Sequence, residues 1–158
     1  MTSPLRSLRQ RHAAVGKVRW IGLRSERRAA VQSVPSAGIL EDGLVGDHAK
    51  PGPRALTVIQ AEHLPVIAAL TGLAEVQPED LRRNIVIEGI NLVALRHDRL
   101  RLGSAVIQLT KPCSPCSRME KALGTGGYNA MRGHGGYYAE VLEPGCVSVG
   151  DELEPIFD

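Results

Sequence analysis

The apolar residues of this chain fall into short β-branched runs that are separated by turns. Two such runs are Asn84-Ile-Val-Ile-Glu88 and Ala105-Val-Ile-Gln-Leu-Thr110. Runs of this length and composition are typical of strands, and 17 Gly and 10 Pro among 158 residues supply the turns between them. The pattern therefore disfavours a helical bundle and favours a domain built mainly from strands.

The same reading along the whole chain predicts about eight short strands and few helices. The strand-like segments are 15–22, 31–40, 54–60, 84–88, 100–103 and 105–110, followed by a closing hairpin made of 138–142 and 147–153. The best helix runs from 61 to 70, and shorter helical segments are predicted at 78–81 and 116–123. Because these strands do not alternate regularly with helices, we expect a barrel-like, mainly β (α+β) fold rather than a doubly wound sheet.

Charge is spread unevenly along the chain. Residues 1–28 carry a net charge of +7, whereas the whole chain carries +2. Such a segment is compatible with a nucleic-acid arm or an organellar transit peptide, but it lacks the interleaved aromatic residues of a nucleic-acid groove. We interpret residues 1–13 as a basic disordered tail and residues 14–158 as a single domain, with Arg19 and Arg24 on the solvent face of the first strand. Neither a nucleic-acid partner nor a membrane partner is expected.

The cysteine count bears on the cellular compartment. Three cysteines are an odd number, and two of them lie close together in Cys113-Ser-Pro-Cys116. A disulfide scaffold is therefore not expected, and a reducing compartment, the cytoplasm, fits better.

The segment that carries the most chemical information is 110–120, which contains this cysteine pair. Cys116 lies at the predicted start of a helix and two residues before Arg118, and both features favour its thiolate form. A C-x-x-C pair is also compatible with half of a zinc site, a thioredoxin-like redox pair, or two inert buried cysteines. Spacing alone leaves these alternatives open.

Two other segments could contact a bulky anion. The glycine-rich segment 124–136 would allow close backbone approach, with Arg132 and His134 adding charge or hydrogen bonds, although a mobile surface loop would have the same composition. At the entrance to a predicted strand, Arg82 or Arg83 could bind a phosphate and Asn84 could donate a further bond, although a solvated strand entrance would look the same.

Taken together and in this order, these segments resemble the MOSC family, the domain named from the C-terminal part of molybdenum cofactor sulfurase. The resemblance runs from about residue 15 to 154. Its anchors are Gly43-Leu-Val-Gly-Asp47-His48, Arg54 with Leu56-Thr-Val-Ile59, Arg82-Arg-Asn84-Ile-Val86, Pro115-Cys116-Ser-Arg118-Met-Glu120, Gly133-His-Gly-Gly136 and Val149-Gly-Asp151. Their order and spacing as a set are far more specific than any single one.

The resemblance implies a MOSC-type β-barrel with one longer and one or two short helices, and a molybdenum–pterin cofactor (molybdopterin). By the family pattern, Cys116 would be the catalytic cysteine and the molybdenum ligand. The remaining candidate cofactor contacts are Arg82, Asn84, Lys50, Arg54, Arg118, Arg132 and His134. Family members of known activity reduce N-hydroxylated compounds to amines, so the resemblance implies a molybdenum cofactor-dependent oxidoreductase that is supplied by an external electron-donor protein.

Two other functions use the same thiols and remain open. One is a sulfur-carrier or cofactor-transfer module in which Cys116 holds a persulfide. The other is a non-catalytic redox or binding module in which Cys113 and Cys116 form a disulfide pair. The role of Cys113 is open in all of them, because it is not a general position of the family.

Overall fold

The fold is a closed barrel of short strands with helices packed on one side, and a computed structural model describes residues 3–157. The strands of this part of the chain are β1 (Gly16–Leu23), β2 (Gln32–Ser33), β3 (Ser36–Leu40), β4 (Gly43–Leu44), β5 (Leu56–Gln60), β6 (Ile85–Glu88), β7 (Arg99–Leu102), β8 (Ala105–Pro112), β9 (Tyr137–Glu143), β10 (Gly145–Ser148) and β11 (Glu152–Ile156). The α-helices are α1 (Pro4–Arg9), α2 (His63–Thr71), α3 (Pro78–Leu81), α4 (Ser117–Leu123) and α5 (Gly127–Met131), and a 3₁₀ helix spans Leu92–Leu95.

Seven strands close the barrel in the order β11-β7-β8-β9-β5-β6-β1. The pairing of Gly16 in β1 with Leu153 in β11 completes the ring. Neighbouring strands are antiparallel except β5 and β6, which are parallel and are joined by a crossover that contains α2 and α3. A small separate sheet has the order β10-β3-β4. The predicted mainly β barrel fold is confirmed.

Two apolar clusters account for the packing of the barrel and of the helices. The first fills the barrel and includes Ile21, Ile85, Ile107 and Leu153. The second lies between the outer wall of β5 and β6 and the helices; its members include Ile59, Val86, Ile67, Met119 and Met131. All five residues of β5 are buried, since one face of this strand meets the barrel interior and the other meets the helical layer.

The predicted closing hairpin is wrong, although its strands exist. β9 pairs with β5 and β8, whereas β10 pairs with β3 in the small sheet. Alternating hydrophobicity identifies a strand but does not identify its partner. The hairpin was predicted only because the two strands are adjacent in sequence. At Gly145 a Cβ atom would lie 2.6 Å from the backbone nitrogen of Ala105, so this close approach requires glycine.

The structure also contains two helices in segments where none was predicted. Helix α5 lies within the glycine-rich segment, and α1 lies within the predicted tail. The Ser3 hydroxyl accepts a hydrogen bond from the backbone N–H of Arg6, and α1 has no buried residue. The boundary between tail and domain at residue 13 stays a prediction. No helix in residues 3–157 is both long enough and apolar enough to cross a membrane.

Candidate functional site

A buried ion pair between Arg24 and Asp47 organises the rim of the barrel where β1 ends. The Arg24 guanidinium contacts both carboxylate oxygens, with Nη2 to Oδ2 at 2.8 Å and Nε to Oδ1 at 3.2 Å. The Asp47 side chain is 0% exposed and the Arg24 side chain 16%. The prediction that Arg24 lies on the solvent face of β1 is therefore wrong. A register shift between Val18 and Trp20 breaks the alternation along the strand, so residues beyond it change faces.

The buried side chain of Asn84 connects this ion pair to neighbouring strands through hydrogen bonds. Its Oδ1 accepts hydrogen bonds from Arg24 Nη2 at 3.2 Å and from the backbone N–H of Thr57 at 3.1 Å. Its Nδ2 donates to the carbonyl of Gly22 at 3.1 Å. Asn84 is 0% exposed, and protein groups engage both ends of its amide. Asn84, which was predicted to contact a cofactor, is thus buried beneath Arg24 and positions the Arg24 guanidinium.

Arg82 brings a second guanidinium to the same rim. Its backbone has φ +57°, a left-handed conformation, and its carbonyl accepts a hydrogen bond from Arg24 Nη1 at 3.3 Å. Its side chain donates to the carbonyls of Ala29 and Arg27, the latter at 3.1 Å. Arg118 Nη1 also lies 3.5 Å from the Arg27 carbonyl, so the loop around residue 27 places these two guanidiniums side by side.

Positive charge exceeds negative charge in this cluster. The pKa of Arg82 is lowered from its ordinary value, first by burial and then by the positive charges of Arg118 and Arg24, while Asp47 opposes the shift. Arg24, Arg82 and Arg118 are called the basic rim cluster below. An anionic ligand at the cluster would offset the repulsion among its three guanidiniums.

Cys116 and Cys113 differ sharply in environment. Cys116 is exposed and is the N-cap residue of α4, two residues before Arg118. Cys113 is 5% exposed, and its backbone N–H donates to the Gly136 carbonyl at 2.9 Å. Burial raises the pKa of the Cys113 thiol, and nearby arginine charges oppose this only in part. Within this pair, Cys116 is therefore the accessible thiol, and burial favours the protonated form of Cys113.

The zinc alternative gains no support. All three cysteines are free thiols. Across residues 3–157, no three His, Cys, Asp or Glu side chains come together in a group that could hold a metal ion. A single accessible cysteine can still serve a metal that brings its other ligands with it.

The glycine-rich segment is packed into the helical layer. A Cβ on Gly127 would lie 2.7 Å from the Leu123 Cβ, so glycine lets α5 approach α4. The Glu120 carboxylate accepts hydrogen bonds from the backbone N–H groups of Gly126 and Tyr128, both at 3.0 Å. These two bonds lower the pKa of Glu120. Gly127 thus serves the packing between α4 and α5.

The structure does not bring Arg132 or His134 into contact with the basic rim cluster. Arg132 is exposed after α5, with Nη1 3.5 Å from Oδ1 of Asn129. The Nδ1 of His134 lies 3.0 Å from the Ala130 carbonyl, and its ring packs edge-on against His63 with centroids 5.4 Å apart. His63 and Cys113 line a cavity of about 160 Å³. As cofactor contacts, Arg132 and His134 stay predictions without a supporting contact.

Lys50 and Arg54 lie in the exposed turn that leads into β5. The Arg54 guanidinium stacks over the Tyr138 ring, 5.0 Å from its centroid. Its positive charge also acts on the Cys113 thiol. Arg54 is therefore close to the cysteine segment, whereas Lys50 is simply exposed.

Arg24 was not predicted as a site residue, and Asp47 was predicted only as part of the family pattern. The signal for Asp47 was its place in the family anchor Gly43-Leu-Val-Gly-Asp47-His48. The signal for Arg24 was hidden, because its inward direction depends on the irregular register of β1.

Comparisons with known proteins add the following. The family model described as "MOSC domain" matches residues 45–154. Similar solved structures include the YUAD protein from Bacillus subtilis, with a TM-score of 0.76, 17% identity, and coverage of 89% of this chain and 94% of that chain. YiiM from Escherichia coli has a TM-score of 0.70 and 25% identity, with coverage of 90% and 70%. YiiM from Geobacillus stearothermophilus has a TM-score of 0.74 and 17% identity, with coverage of 90% and 75%. Comparison with curated proteins finds no match.

Proposed function

The chain belongs to the MOSC domain family, and from this premise we propose that it binds a molybdenum–pterin cofactor beside the basic rim cluster and reduces N-hydroxylated compounds. The Cys116 thiolate would be the protein ligand to molybdenum. The observation that carries the proposal is the placement of one accessible thiol two residues from an arginine of a cluster with surplus positive charge.

The donor chemistry of the site fits this cofactor. A thiolate is a soft ligand suited to molybdenum, and the pterin itself supplies two further sulfur ligands. The pterin carries a phosphate, and guanidinium groups bind phosphate through paired charge-assisted hydrogen bonds. Arg82 and Arg118 now donate to backbone carbonyls of a surface loop, and a phosphate is a stronger acceptor than a carbonyl.

The residues of the site would divide the work as follows. Arg82 and Arg118 would bind the phosphate of the cofactor, and the largely buried Arg24 would add to the positive potential at that phosphate. Asp47 and Asn84 fix the direction of Arg24 through their hydrogen bonds to its guanidinium. Cys113 anchors the turn before Cys116 through its backbone bond to Gly136 and keeps that turn in one conformation.

When bound, the molybdenum centre would supply the removal of oxygen from an N–OH group, which takes two electrons and two protons and yields an amine and water. The electrons would come from a separate donor protein, and we place the protein in the cytoplasm.

The exposure of Cys116 also suits a sulfur carrier, in which the same thiol holds a persulfide. The disulfide-module alternative is weaker, since the Cys113 thiol is buried and its burial favours the protonated form.

The proposal is tested on protein produced in a host that makes the cofactor. We expect about one molybdenum atom and one pterin per chain after purification, and reduction of a hydroxylamine or amidoxime by a chemical electron donor. Purified protein that carries sulfane sulfur on Cys116 and no molybdenum would instead assign the sulfur-carrier function.

A further inference from the structure

A second cationic surface lies away from the basic rim cluster. Here α1, the segment after the 3₁₀ helix and the end of β11 enclose a cleft of about 590 Å³. Arg6 and Arg9 line it from α1, Arg96 lines it from the turn before β7, and Arg99 lines it from the start of β7. Among its described lining residues, Asp98 is the one carboxylate. This cleft is called the N-terminal cleft below.

The strand register places the N-terminal cleft beyond the end of β1 that is opposite to Arg24. Gly16, the first residue of β1, pairs with Leu153, and β11 continues past this pair to Ile156, which pairs with Arg99 at the cleft. Arg24 follows the other end of β1. An eight-residue strand is roughly 25 Å long at about 3.3 Å per residue, so the cleft is well separated from Arg24 of the basic rim cluster.

The arginines of α1 indicate a ligand site, because neither packing nor ion pairing within the fold accounts for them. Helix α1 buries no residue, and its Leu5 and Leu8 are 57% and 59% exposed. Within residues 3–157, the guanidinium groups of Arg6 and Arg9 make no hydrogen bond or ion pair. A helix that contributes neither core packing nor ion pairs nevertheless presents two guanidiniums to one cleft.

The cleft also contains the aromatic surface that the basic N-terminal segment lacks in sequence. Phe157, the one phenylalanine of the chain, lines the cleft and is 42% exposed. His97 lines it as well. The fold thus brings an aromatic ring from the C-terminal end of the chain beside arginines from its N-terminal end. Arginine pairs with an exposed ring are suited to a ligand that has both phosphate and a flat base.

We propose that the N-terminal cleft binds a free nucleoside phosphate, with Arg6, Arg9 and Arg96 on its phosphates and the base against Phe157. The cleft volume lies in the range of small-molecule sites, about 300 to 1,000 Å³. The arginines converge on one cleft instead of forming a stripe, which suits one compact anion rather than a long strand. This site and the cofactor site proposed beside the basic rim cluster use different arginines.

The test is calorimetric titration of the full chain with ATP, adenosine, tripolyphosphate and a single-stranded oligonucleotide. We expect ATP to bind at least about tenfold more tightly than adenosine or tripolyphosphate, since each of these lacks one half of the ligand. The variant with Arg6→Gln, Arg9→Gln and Arg96→Gln should lose roughly 30-fold or more in ATP affinity. A matched variant with Arg11→Gln, Lys17→Gln and Arg19→Gln loses the same charge outside the cleft and should change by less than about threefold.

Phe157→Ala distinguishes base stacking from phosphate binding. It should weaken ATP binding by about 5-fold or more, as loss of one stacking contact does, and leave tripolyphosphate binding unchanged. Equal losses in the two triple variants, tripolyphosphate binding as tight as ATP, tighter binding of the oligonucleotide, or no ATP binding at millimolar concentration would each overturn the proposal. Molybdenum content of the cleft variants should equal that of the wild type, so this proposal and the cofactor proposal fail separately.

Discussion

The buried amide of Asn84 accepts a hydrogen bond from the guanidinium of Arg24, with 3.2 Å between Oδ1 and Nη2. The Nδ2 of the same amide donates a hydrogen bond to the Gly22 carbonyl, and the Arg24 guanidinium donates to the Asp47 carboxylate. Three separate stretches of the chain therefore meet in one satisfied polar network at the rim. Such a network is rigid only while each member keeps its partner.

Asn84→Leu tests this network. The side chains have similar volume, but leucine leaves the Gly22 carbonyl, the Thr57 N–H and one Arg24 nitrogen without the partner they have now. We expect a loss of about 2–4 kcal/mol in the free energy of unfolding, measured by urea denaturation. The control Asn91→Leu, at an exposed position, should cost less than about 0.5 kcal/mol. Similar losses for both variants would show that the network does not stabilise the rim.

Arg82→Gln tests the proposed hold on the cofactor. A charge-assisted hydrogen bond of this kind contributes about 1.5–3 kcal/mol, so its loss should weaken cofactor binding by roughly 10- to 150-fold. Arg19→Gln is the matched control, since Arg19 is exposed on β1 and makes only a 3.7 Å ion pair with Glu88. Pterin release during dialysis reports the affinity. Equal retention in the two variants would remove Arg82 from the site.

Glu120 gives a prediction of pH dependence. Two backbone N–H groups lower the pKa of its carboxyl below the ordinary value of 4.5, so these bonds stabilise the fold above that pH. The stabilisation is lost as the pH falls from 4.5 through the lower folded-state value. Glu120→Gln should therefore reduce the urea midpoint at pH 7, and its difference from the wild type should shrink in acid.

The control for this comparison is Glu41→Gln, at an exposed residue in the turn between β3 and β4. Its urea midpoint should follow that of the wild type at both pH values. A Glu120→Gln difference that is constant from pH 7 to acid would show that the carboxylate charge is not what holds α5 to α4.

Deletion of residues 1–13 tests the domain boundary. Because α1 buries no residue, the truncated chain should keep the melting temperature and molybdenum content of the full chain within error. It should lose ATP binding, since Arg6 and Arg9 go with it. A melting temperature several degrees lower would mean that the tail stabilises the barrel.

The sequence was sufficient for most strands and for the fold class, because short β-branched runs and glycine turns are local signals. The segments 31–40 and 147–153, each predicted as one strand, both divide between two strands. It could not pair the strands. The hairpin expected from residues 138–153 failed, since a strand pattern carries no information about which edge it joins. Helix α5 was missed for a related reason: Gly127 lowers local helix propensity, and contact with α4 together with the Glu120 bonds outweighs this.

The candidate site was predictable only in part. Motif order predicted Cys116 and Arg82 as site residues, and the structure brings Arg118 beside Arg82 through the carbonyl of Arg27. The roles of Arg24 and Asn84 depend on burial and on an irregular strand register, which no local pattern reveals.

The central claim is that Cys116, and not Cys113, is the ligand to molybdenum, and it is tested most directly by metal analysis of two single variants made in a cofactor-competent host. Because Cys116 is exposed and Cys113 is buried, we expect Cys116→Ala to retain no molybdenum and Cys113→Ala to retain a reduced but measurable amount. Equal retention in the two variants, or a greater loss from Cys113→Ala, would contradict the account.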